Sequence, residues 1–81
     1  MPSYDYVRAN GWRRTLDGVC AWRADATLYV SRNYTGTWFY EVLWSDLDRP
    51  AVDGTAFDRN AAMHSAERAH DAATSDLGGA R

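Results

Sequence analysis

The residues able to do chemistry in this chain are few and scattered. Asp46, Asp48, Asp53 and Asp58 punctuate an acidic stretch whose oxygens could hold a hard cation. A calcium loop needs oxygen ligands at fixed alternate positions, a mid-loop glycine and a closing bidentate glutamate. Here Arg49 and Pro50 interrupt the series and the glutamate is missing, so a solvated turn followed by a helix cap accounts for these carboxylates. On a helix, His64 and His70 stand about 120° away from facing each other, a poor chelate, and there is no HExxH. His64 therefore reads as a surface residue and His70 as one packed at the sheet margin. Cys20 is the lone cysteine, which excludes an intrachain disulfide and a cysteine-based zinc cluster and implies a reducing compartment. It opens an apolar series, so it reads as a small core residue. No nucleophile elbow and no phosphate-cradling glycine loop occurs. The expectation is a protein that is not an enzyme and that uses no metal or cofactor.

The arginines are the remaining chemistry. All nine basic residues are Arg, against eleven acids, giving a net charge of −2. That balance, with a pI near 5.5, argues against nucleic-acid binding driven by bulk positive charge. An Arg-only bias is what a GC-rich genome produces as readily as a function does. The charge is nonetheless polarised: five Arg face four acids through Trp44, and four Arg face seven acids beyond it. Arg13, Arg14, Arg23 and Arg32 could carry a sheet into a DNA groove or onto single-stranded bases. The plainer reading is surface charge balanced by Asp17, Asp25 and Glu41.

These side chains must be positioned by a small fold. Eighty-one residues make one domain, and 14% aromatic content supplies large rings to a core of limited size. The chain starts at Met1 and reads as a complete small gene product, with no signal-peptide core and no apolar run long enough to span a membrane. From Cys20 to Ser31, Cys20, Trp22, Ala24, Ala26, Leu28 and Val30 alternate with mostly polar neighbours, the pattern of one long strand with a core face and a solvent face. Asp25 could instead mark a bulge or a break into two strands. Asp17-Gly18 offers a hairpin turn before it, and Arg32 to Gly36 a polar loop after it, with Asn33 and Gly36 in turn roles. Thr37 to Ser45 returns as the next antiparallel strand. Ala51 to Phe57 can add a short edge strand behind Pro50. Residues 1–10 form either an edge strand or a loosely packed segment.

Asp58 is placed to cap a helix running to about Thr74, with Gly78 and Gly79 ending any continuation and residues 77–81 frayed. Its stripe of Ala62, Met63, Ala66, Ala69 and Ala73 permits close approach to a sheet, which must then supply the volume. The predicted fold is α+β: a three- or four-stranded antiparallel sheet with one C-terminal helix packed on one face. Within Asn33–Trp44 the register that buries Trp38, Tyr40, Val42 and Trp44 leaves Phe39, Glu41 and Leu43 on the helix-free face, beside Tyr29 and Arg23. The opposite register would bury Glu41 without a partner, at a cost. Apolar side chains clustered on an open sheet face mark an interface, unless the N-terminal segment covers them with Tyr4, Tyr6 or Val7.

Two stretches carry a resemblance. W-x-x-x-x-DG-x-x-AWRA, followed by TGTWFYEV and DGTAFDRNAAMHSAERAHDAA, resembles small phage and prophage proteins built as a strand meander closed by one Ala-rich helix. GTAFDRNAAMHSAERAHDAA, Gly54 to Ala73, is also similar to the strand-to-helix end of ethylene-response-type and integrase arm-binding DNA-binding domains, in which a three-stranded sheet enters the major groove. The first resemblance implies a non-catalytic viral accessory protein in the host cytoplasm. Such a protein would block or redirect a host protein, for instance a defence factor, by steric occupation. Phe39, Leu43 and Tyr29 would be its anchors, and Arg23 and Glu41 would set orientation. A homodimer through the same face is a close variant, and a homo-oligomeric virion component a third class. The second resemblance implies a DNA binder, for which the sheet arginines Arg13, Arg14, Arg23 and Arg32 singled out above would be the contacts. No membrane partner is expected.

Overall fold

A turn four residues long decides how the sheet is built. In the computed structural model, which describes residues 6–46 and 48–79 and the side chains of 7–46 and 48–73, the amide of Arg23 donates to the carbonyl of Ala26 at 2.8 Å. Ala24 and Asp25 are thus the two central residues of a tight hairpin. The alternating run from Cys20 to Ser31 is broken at Asp25 into β2 (Gly18–Trp22) and β3 (Ala26–Arg32). They are preceded by a one-turn helix α1 (Tyr6–Ala9) and β1 (Trp12–Arg14), and followed by β4 (Trp38–Trp44), β5 (Val52–Ala56) and α2 (Arg59–Gly79). The strands form one antiparallel meander in chain order, with α2 packed across it. The fold is α+β as predicted, with five strands rather than three or four because the long run doubles back on itself.

The hairpin also corrects a face. In a continuous strand, residues 23 and 26 would point to opposite sides. In a two-residue hairpin they are paired and point to the same side. Everything before the turn is therefore inverted relative to the single-strand reading. Val19 and Ala21 pair with Val30 and Leu28 on the helix side, while Cys20 and Trp22 pair with Tyr29 and Thr27 on the other. Trp22, expected in the core, is 56% exposed, and Ala24 sits exposed in the turn instead of leaving room for the helix.

The helix-side core is Val7, Trp12, Val19, Ala21, Ala26, Leu28, Val30, Val42 and Trp44 against Ala62, Met63 and Ala66 of α2, with Trp38, Tyr40, Ala69 and Ala73 partly buried around it. The inward set of β4 and the alanine stripe of α2 are as the sequence predicts. Small residues on the helix let the rings of the sheet fill the layer between them. Val7, in a helical turn rather than an edge strand, joins this core. It does not cover the opposite face; Tyr4 and the Tyr6 side chain lie outside what is described.

Local chemistry sets the boundaries. Asp58 accepts the amide of Ala61 at 2.7 Å through Oδ1, capping α2. Asn33 Oδ1 takes the amides of Thr35 and Thr37, both at 3.0 Å, and Gly36 adopts φ +92° to close the β3–β4 loop. The first hairpin turns at Leu16–Asp17, one residue earlier than the Asp-Gly pair suggests, with the amide of Thr15 bonded to the carbonyl of Gly18. Gly18 is needed for close approach, since a Cβ there would lie 1.8 Å from the Val30 carbonyl oxygen. α2 runs on past Thr74 to Gly79. No proline interrupts it, and a helical glycine costs only about 1 kcal/mol against alanine.

Candidate functional site

Side chains alternate between the faces of a strand, so the pairing register shows what the helix-free face presents. Three rows cross it. The central row is Arg13, Cys20, Tyr29, Glu41 and Asp53, one residue from each strand. On one side lies the row Trp22, Thr27 and Leu43, and on the other Gly18, Ser31, Phe39 and Thr55. Among the described residues no helix covers this face. Its large apolar side chains keep much of their surface in solvent: 56% for Trp22, 42% for Tyr29, 39% for Phe39 and 40% for Leu43. These are not scattered singletons, as Leu16, Tyr34 and Phe57 are in the loops, but neighbours on adjoining strands.

The sequence-predicted anchors Phe39, Leu43 and Tyr29 therefore share one face with Glu41, as expected. Arg23 does not join them. The hairpin carries its guanidinium to the helix side, where Nη2 lies 4.0 Å from Glu67 Oε2 and Nη1 donates to the Trp22 carbonyl at 3.3 Å. Trp22 stands where Arg23 was expected and is the exposed ring of this face that the sequence reading missed. Treating Ala24-Asp25 as a hairpin turn would have found it. Cys20 is buried, but in the middle of the helix-free face rather than in the helix-side core.

Charge on this face is graded. Arg13 lies at one end of the central row, its guanidinium 5.4 Å from the Trp22 ring centroid. At the other end Glu41 and Asp53 are cross-strand partners, a like-charge pair that by itself destabilises the sheet. They line a concavity of about 360 Å³ together with Tyr29 and Phe39. Aromatic faces beside two carboxylates suit a cationic group.

The four arginines considered for nucleic acid do not gather. Arg13 is on the helix-free face and Arg23 beside α2. Arg14 and Arg32 share the helix-side register with Val19 and Trp38. At the end of the sheet these two line a wider concavity of about 510 Å³ with Tyr34, Trp38 and Arg59, a residue the sequence reading had not grouped with them.

The helix side carries its own polar cluster. His70 Nε2 lies 2.7 Å from Asp25 Oδ1, and the imidazole stacks on Trp44 at 5.5 Å and 19°. The Arg49 guanidinium lies 4.2 Å from the Trp44 ring centroid. The hydrogen bond from His70 holds the Asp25 carboxyl below its usual range. Partial desolvation opposes this, while the charges of His70 and Arg49 and a backbone hydrogen bond assist. Trp12 Nε1 donates to Glu67 Oε2 at 2.8 Å. These contacts tie α2 to β1 and to the β2–β3 turn. His70 thus sits at the sheet margin, as predicted, and His64 is exposed with Nδ1 3.7 Å from Glu67 Oε1. Among the described residues no three His, Cys, Asp or Glu side chains are grouped so as to hold a metal ion, and no helix is long and apolar enough to cross a membrane.

No protein family, curated protein or solved structure matches this chain.

Proposed function

We propose that this protein is a non-catalytic binding module that docks onto another protein surface through the helix-free face of its sheet. The observation that carries the reading is the contiguity of Trp22, Tyr29, Phe39 and Leu43 on that face, each more than a third exposed. Rings and Leu in such a cluster gain the free energy of desolvation only when another surface covers them. The like-charged Glu41–Asp53 pair at one end specifies the partner further: an apolar patch flanked by a basic group. The resemblance to small phage proteins supports the finer reading of a viral accessory protein that occupies a host protein and so inhibits or redirects it.

The test is capture of a protein by the wild type and by Phe39→Arg, followed by reconstitution with the purified, identified partner. Binding by the wild type and its loss in the variant is the expected result. Equal binding by both would remove the helix-free face from consideration.

A second reading has one observation in its favour, the meeting of Arg14, Arg32 and Arg59 beside Tyr34 and Trp38. Guanidinium groups near the exposed Tyr34 ring suit a single strand of nucleic acid, whose affinity would fall steeply with salt. Docking through an apolar face would respond weakly to the same change.

A further inference from the structure

We propose that the occupant of the helix-free face is a second copy of this chain, packed face to face about a two-fold axis parallel to β3. This rests on the docking reading above for the face itself and puts a second copy, in place of a host protein, as its partner. β3 is the middle strand of five, with two strands on either side. A two-fold axis along it lays β1 of one copy over β5 of the other and β2 over β4, and it keeps each cross-strand row above itself.

The consequences follow row by row from the register. In the central row, Arg13 of each copy stands over Asp53 of the other, next to Glu41, and Tyr29 meets Tyr29 at the axis. The basic group wanted by the Glu41–Asp53 concavity is thus supplied by the same chain, twice. In the second row Trp22 lies over Leu43 of the other copy. In the third, Phe39 lies over Gly18, the one position of that row that presents no side chain. Arg13 meets Asp53, Trp22 meets Leu43 and Phe39 meets a gap, while Glu41 lies over Cys20 with the other copy's Arg13 beside it. The other face-to-face two-fold, with its axis across the strands, would set Arg13 on Arg13, Glu41 on Glu41 and Asp53 on Asp53. Electrostatics therefore selects the axis along β3. Closed two-fold pairing is also the commonest outcome for a self-complementary patch, and face-to-face sheets pack about 10 Å apart, which leaves room for one interdigitated layer of rings.

Sedimentation of the full chain over a range of concentrations tests this. The wild type is expected to form a dimer. Arg13→Asp and Asp53→Arg, both at exposed positions, should each raise the dimer dissociation constant by about tenfold or more, since each reversal sets two like charges face to face. The double variant carrying both changes should recover most of the lost affinity. Circular dichroism of each variant checks that the fold is retained. A wild type that stays monomeric overturns the dimer, and the docking reading then stands or falls on the Phe39→Arg capture experiment alone. A dimer that ignores Phe39→Arg uses another surface and removes the face-to-face dimer, leaving the docking reading to the capture experiment. A dimer weakened by each reversal but not restored by the pair has a different axis, and the arrangement proposed here is wrong.

Discussion

The two faces of the sheet are drawn from alternate residues of the same strands, yet one is sealed and the other open. On the helix side Leu28, Val30, Val42 and Trp44 meet the small residues Ala62 and Ala66 and the buried Met63. On the other side Trp22, Tyr29, Phe39 and Leu43 are of similar size and apolarity but meet solvent. Apolar content alone does not choose which face a helix covers. The choice lies in what fastens the helix: the Trp12–Glu67 hydrogen bond and the Asp25–His70 pair hold α2 to β1 and to the β2–β3 turn. The open face has none of these fastenings. It has instead a graded row of charge, which is what an intermolecular contact uses for orientation.

The contrast can be broken at its strongest point first. Leu28→Ala on the sealed face should cost about 2–5 kcal/mol in denaturant unfolding, because the cavity it leaves is enclosed. Leu43→Ala on the open face, measured at protein concentrations low enough to avoid association, should cost no more than about 0.5 kcal/mol. Equal losses would show that the two faces are not distinct. Next in size is the fastening of α2. Glu67→Ala leaves the Trp12 indole without its charged acceptor and should cost about 1–3 kcal/mol. Glu67→Gln, which keeps an acceptor oxygen, should lose less.

The Asp25–His70 pair gives a smaller effect with a defined sign. Because the folded protein holds the Asp25 carboxyl below its usual range, this carboxylate stabilises the fold above the unfolded carboxylate pKa of about 4. That contribution is lost as pH falls through the lowered folded value. In unfolding measurements between pH 2 and 6, Asp25→Asn should therefore flatten the acid limb of the stability profile. A profile unchanged by the substitution would mean that the hydrogen bond contributes nothing to the fold. Smallest of all should be the effect of Phe39→Arg on stability, within about 0.5 kcal/mol. Its effect on docking should be complete. That separation of binding from folding is the sharpest form of the contrast.

Much of this arrangement is legible before any coordinates. Within β4 the register is fixed by Glu41, since the alternative buries a carboxylate, and the structure places Val42 and Trp44 inside and Phe39 and Leu43 outside accordingly. The α2 stripe, its Asp58 cap and the Asn33–Gly36 loop follow from local rules that act over a few residues. Two things were not legible. Asp25 offered a possible break into two strands, but alternation continued evenly through Ala24 and Asp25, so the period-two pattern did not decide between one strand and two. The pattern is preserved when a two-residue turn replaces two strand residues, and only the face assignment changes. Hence Trp22 and Arg23 exchanged sides, the first becoming part of the candidate site and the second leaving it. The partners of polar groups were equally hidden: Trp12 and Glu67 are separated by 55 positions, and Asp25 and His70 by 45.

The sequence by itself determined the layer composition: aromatic and branched residues in strands, alanine on one helix, and a carboxylate that forbids one of the two registers of β4. Those preferences are local, because they arise from side-chain volume, charge and backbone geometry over a single turn or pleat. Tertiary structure alone decided which face of β2 looks at α2, and that five residues from five strands line up from Arg13 to Asp53. Such alignment depends on hydrogen-bond register between strands. A shift of one residue reverses every side chain, and only the whole sheet closing on its helix selects among the registers.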